Sequence, residues 1–185
     1  MSTWIERAIG AARLDPAVYE EVEADENALG QAMGVVVLAS IAAGIGAAFR
    51  GPHGPHLLAG VLFNLVGWFA WAFVVYLVGT KLLPTPETKA DVGQLLRTTG
   101  FSASPGVLAI LGVLPLVGGF IGFAVGVWEL AAMVVAVRQA LDYQSTGRAL
   151  AVCAIGFAVY VLIAMVLAGA LFGLGHAAGG PMAAP

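Results

Sequence analysis

Long apolar runs alternate with short polar stretches along this chain, and the runs have the length of helices that cross a bilayer. A window of about 19 residues, suited to a hydrocarbon core about 30 Å thick, finds five of them. The first covers Gln31 to Phe49 and ends at Arg50-Gly51-Pro52-His53-Gly54-Pro55, whose glycines and prolines break a helix. The second covers Leu57 to Gly79, and the polar segment Lys81 to Arg97 follows it. A shorter third run extends from Thr98 to Leu114, where Pro115 and Gly118-Gly119 make a nearly charge-free turn. The fourth continues to Val137, the polar loop Arg138 to Arg148 follows, and the fifth runs from Ala149 to Gly175.

The first 29 residues have a different pattern. Trp4, Ile5, Ala8, Ile9 and Ala12 recur at helical spacing, and Asp15-Pro16 supplies an N-cap with proline in the first turn of a second short helix, on which Val18, Tyr19 and Val22 share a face. Two readings are open for this segment: an interfacial or partner-docking helix, or a helix packed beneath its own bundle. The expected organisation is all-α: a cytoplasmic helical segment at 1–29, a five-helix transmembrane bundle at 30–175 and a flexible tail at 176–185.

Composition makes lipid the solvent. Of 185 residues 60% are hydrophobic and 10% charged, against about 25% charged in a soluble domain. The net charge of -3 and the eight Lys and Arg residues give no basic patch, which argues against nucleic acid as a partner. Seven acidic residues precede the first apolar run, so a cleaved signal peptide is not expected. With five crossings and the N-terminus inside, Arg7, Arg13, Lys81, Lys89, Arg97, Arg138 and Arg148 lie inside and only Arg50 outside. That excess of inner cations sets the orientation, with the C-terminus outside; a four-crossing alternative would divide them far less unevenly.

Glu129 is the first candidate for chemistry, because a carboxylate within a span is costly and faces a partner, a cavity or the bundle interior. Nine positions before Arg138, it lies roughly 13 Å deep at the helical rise. It continues the face of Gly118, Gly122 and Gly126, so it is expected to point at a neighbouring helix. It reads either as a proton- or cation-handling group or as a structural acid, neutral or bonded to Ser102 or Ser104; Asn64 is the other intramembrane polar candidate. Gly30-x-x-x-Gly34 and Gly169-x-x-x-Gly173 offer further close-packing seams, within one chain or between copies. Pro105 is expected to bend the third run, with a serine hydroxyl meeting the freed carbonyl.

Trp68, Phe69, Trp71, Phe73 and Tyr76 could hold a flat apolar cofactor, though a lipid-facing or bundle-filling surface explains them more simply. His53 and His56 lack the further ligands a metal needs, and the lone Cys153 makes no intramolecular disulfide. No phosphate loop, paired-histidine zinc helix, nucleophile elbow or cysteine pair is present, so no catalytic residue, metal or cofactor is expected.

The order of features resembles the Yip domain family, five-span membrane proteins with a cytoplasmic N-terminus whose eukaryotic members interact with Rab-type GTPases. The resemblance rests on Asp15-Pro16-Ala17-Val18-Tyr19-Glu20, on Gly30-Gln31-Ala32, and on Gly118-Gly119 leading to Val127-Trp128-Glu129-Leu130. Val137-Arg138-Gln139-Ala140-Leu141 and Ser145-Thr146-Gly147-Arg148-Ala149 complete it. Prokaryotic members look most similar, which implies a bacterial cytoplasmic membrane. The N-terminal region here is short, so GTPase binding is not carried over. The resemblance implies a fold and a topology; charge placement and the absence of catalytic signatures point to a scaffold, assembly factor or accessory subunit contacting lipids, other membrane proteins or its own copies, with Tyr19, Arg97, Arg138 and Arg148 on the cytoplasmic interaction surface. Two alternatives are a small transporter or channel using Glu129, and a subunit of a large energy-converting membrane complex.

Overall fold

The structure is a computed structural model that describes residues 2–48 and 57–178, with side chains undescribed at 48, 164 and 167–178. Arg50, His53 and His56 lie outside the described residues, as do 179–185 of the expected tail and the surroundings of Gly169 and Gly173. Among the described residues the chain is helical, with no strand.

Two short helices come first. In α1 (Trp4–Ala12), Thr3 and Glu6 form a reciprocal capping box. Leu14, at φ 63°, turns the chain, and α2 (Pro16–Ala24) starts at the Asp15 cap, whose side chain accepts from Ala17 N, with proline in its first turn. Among the described residues, four helices are long and apolar enough to cross a membrane: α3 (Leu29–Ala48), α4 (Leu57–Leu77), α6 (Gly118–Ala140) and α7 (Thr146–Ala178). A π-helical turn, Val78–Leu82, ends α4. Helix α7 continues through Ala178, past the expected boundary at 175.

The third apolar run departs from expectation. It is two pieces: α5 (Val92–Ser102) and a ten-residue 3-10 helix, Ser104–Val113. Helix α5 begins inside the stretch assigned to a polar loop, because Asp91 and Gln94 cap each other reciprocally and nucleate it six residues before the apolar run. Pro105 cannot donate to the carbonyl of Phe101, and the Ser104 hydroxyl donates to that carbonyl instead at 2.6 Å. The bend expected at Pro105 is thus a change of helix type.

The core lies around α5, whose residues from Leu95 to Ser102 are all buried. Gly100 packs on Ala32, Gly106 on Ala39 and Ala109 on Gly46, so the segment 92–113 runs alongside α3 in the same direction. In a 3-10 helix three residues make a turn, which puts Gly106, Ala109 and Gly112 on one face. That face meets Ala39 and Gly46 of α3 so closely that a Cβ on Gly46 would sit on the Ala109 carbonyl oxygen. Helix α6 returns antiparallel, with Gly118 against the Gly112 backbone and Glu129 against Gly106. Helices α4 and α7 then pair along Gly67–Tyr160 and Trp71–Gly156.

Candidate functional site

Helices α1 and α2 close one end of the bundle. Arg7, only 2% exposed, pairs with Glu21 at 2.9 Å and Asp25 at 2.8 Å and donates to Gln31. Hydrogen bonds from Ser2 and Arg7 hold the Glu21 carboxyl below its ordinary range, and those from Arg7 and the Asn27 backbone do the same to Asp25. Arg97 from α5 reaches up to donate to the Val22 and Glu23 carbonyls that end α2. Glu23 accepts from Gln94 at 3.0 Å. Burial pushes its carboxyl up to about 7, with Asp142 and Glu20 adding to the shift and Arg97 opposing it. Two indoles fasten the rest, Trp4 donating to Gln31 O and Trp128 to Ala12 O.

The connections 83–91 and 141–145 meet at this same end. The Tyr143 hydroxyl bonds to the Gly79 and Leu83 carbonyls at the π-turn, Thr88 donates to Leu141 O, and Arg148 approaches the carbonyls of Leu83 and Pro84. Two residues expected on an interaction surface are internal. Tyr19 is fully buried with its hydroxyl on Ala11 O, and Arg97 is 8% exposed. Tyr19 ties α2 to α1 and Arg97 ties α2 to α5, which removes them from solvent. Arg138 is half-buried, donating to Tyr143 O, and Arg148 is exposed.

Between the helices, α3, α4, α6, α7 and the 92–113 segment line an open-sided cavity of about 380 Å³. Glu129 lines it from α6 and Asn64 from α4, so the structure brings these two candidates together. An adjoining cavity of about 330 Å³ shares Glu129 and includes Ser102 and Gly126. Neither serine bonds to Glu129: Ser102 donates to Thr99 O and Ser104 to Phe101 O, each satisfied on its own turn. Ser104 faces a separate apolar groove beneath α1. The carboxylate of Glu129 has no hydrogen bond or ion pair among the described residues, whose ion pairs are the two at Arg7. Sequence reading missed Ser40, Thr99 and Tyr160 on the same wall; single polar groups in apolar runs were their only signal.

The small residues serve differently from the expected four-residue seam. Gly118 is tightly packed, Gly122 is half-buried, and a Cβ on Gly126 or Gly30 would meet nothing within 4 Å. Gly34 touches the Trp4 ring. The aromatic residues of α4 divide, with Trp68 and Trp71 turned inward and Phe69 and Phe73 outward. No group of three or more His, Cys, Asp or Glu able to hold a metal occurs among the described residues.

Comparison with known families matches the Yip1 domain to residues 14–174. No curated protein and no solved structure matches the chain. With four helices apolar and long enough to cross a bilayer and a match over most of its length, the chain is a multi-pass membrane protein belonging to the Yip1 domain family.

Proposed function

We propose that the protein is a non-enzymatic scaffold or accessory subunit of a bacterial cytoplasmic membrane, contacting lipids and other membrane proteins. The N-terminus and its two-helix cap lie in the cytoplasm. The segment 92–113 is a fifth crossing: eleven α-helical and ten 3-10 residues rise about 36 Å together, enough for the hydrocarbon core. Five crossings leave the C-terminus outside and keep the cations at the capped end on the inner face.

One observation carries the reading. Helix α1 is fastened to the bundle through Arg7 and Trp4, yet Ile5, 64% exposed, and Ile9, 47% exposed, line an open apolar groove between α1 and the bundle, with Trp4 also partly open. An apolar stripe held rigidly at the membrane interface is suited to lying against lipid or a partner helix. Exposed Asp142 and the exposed stretch 144–148 at the start of α7 add a polar surface on the same side. The test is mass measurement after mild detergent extraction from native membranes. A larger complex is expected, and the double variant Ile5→Ser/Ile9→Ser should release it while the chain stays folded. A strictly solitary monomer would reject the reading.

A further inference from the structure

The central cavity holds a carboxylate with no partner among the described residues, which neither a scaffold role nor bundle packing requires. Most of its donors are already engaged: Trp68 Nε1–H goes to Thr99 at 3.1 Å, Trp71 Nε1–H to the Met133 sulfur, the Ser40 hydroxyl to Val36 O, and the Thr99 hydroxyl to Leu95 O. Asn64 uses an N–H on Gly60 O at 3.0 Å. Among the lining groups these leave the Glu129 carboxylate, the Asn64 carbonyl oxygen and lone pairs of Ser40 as acceptors, beside the second N–H of Asn64. The Tyr160 hydroxyl, without a hydrogen bond among the described residues, can serve in either sense.

An acceptor-rich, carboxylate-bearing chamber repels anions and attracts a cation. The walls decide which kind. Trp68, Trp71 and Tyr160 present aromatic rings, and such rings with one carboxylate hold an organic ammonium. A bare metal ion would demand a tight shell of several oxygens, and about 380 Å³ is far more room than it fills. At the rim, Phe63 and Phe157 are 75% and 62% exposed, so in a bilayer the mouth opens toward hydrocarbon. A guest entering there carries an apolar body.

We infer that this cavity binds the ammonium end of an apolar-tailed amine, with Glu129 as its counter-charge and Trp68, Trp71 and Tyr160 as its walls. The ammonium comes either from an aminophospholipid headgroup or from a free alkylamine. The inference is independent of the scaffold reading, because it concerns binding by the isolated protein.

The test uses the full chain in neutral maltoside micelles at about pH 7.5, where hexylamine is protonated, with tryptophan fluorescence as the readout. Hexylamine should bind saturably and about tenfold more tightly than hexanol, which has the same tail and no charge. Glu129→Gln should abolish that preference while melting at a similar temperature. Wild-type protein alone already distinguishes the two probes if the variant fails to fold. Phosphatidylethanolamine added to the micelles should compete with hexylamine if the headgroup is the guest, and leave it unaffected if the guest is a free amine. Equal affinity for hexylamine and hexanol, no binding of either, or a folded Glu129→Gln that keeps the preference would overturn the inference.

Discussion

Replacing Glu23 by Gln should strengthen the protein at pH 8 and do little at pH 5. The folded chain raises this carboxyl from its ordinary 4.5 to about 7, so the folded state holds the proton more tightly than the unfolded one. Above pH 7 the group is ionised in both states, and the folded state bears the full cost of a charge in a partly buried site beside Asp142 and Glu20. As pH falls from 7 toward 4.5, the folded state takes up its proton first and the cost fades. For a displacement of this size the linkage relation gives about 3.3 kcal/mol at pH 8 and about 0.8 kcal/mol at pH 5. Solvent reaches part of the side chain, so screening reduces these to about 2 kcal/mol and below about 0.5 kcal/mol. Glutamine keeps an oxygen for the hydrogen bond from Gln94, so neutralisation is the main change. Denaturation of wild type and variant in detergent at the two pH values measures the difference. A variant that is weaker at pH 8, or equally stabilised at both, refutes this account of Glu23.

Gly46→Ala should destabilise by about 1–3 kcal/mol, since its methyl group would press on backbone rather than on a side chain that can turn away; thermal unfolding of the purified protein checks it. Cysteines placed at Lys89 and Arg148 in a Cys153→Ser background should be labelled from the same side of the membrane by an impermeant reagent. Labelling from opposite sides would remove the fifth crossing.

Hydropathy alone located α3, α4, α6 and α7, because each is a continuous apolar run and lipid imposes that pattern directly. Helix α5 was half hidden. It is enclosed by protein rather than lipid, and so carries Arg97, Thr98, Thr99 and Ser102 where a lipid-facing helix would carry aliphatic residues. The 3-10 segment was invisible to a search for glycines four apart, since Gly106 and Gly112 follow a period of three. Glu129 stood out as a charge within an apolar run. Its cavity did not, because residues from Val36 to Tyr160 build it and their meeting depends on all the crossings at once. Tyr19 and Arg97 were recognisable as unusual but misplaced: polar side chains near the water boundary look the same in sequence whether they face out or tie two helices together.

The cap's attachment also constrains the order of assembly. Residues 2–25 are made before the rest of the bundle, and beside nearby Gln31 their fastenings are Gln94, Arg97, Trp128 and Gln139. Until translation has passed residue 139 and that stretch has inserted, the cap cannot complete its contacts. Docking is therefore completed only after α6 is in place, and a nascent chain halted earlier would hold this segment by fewer bonds and leave it more open to protease.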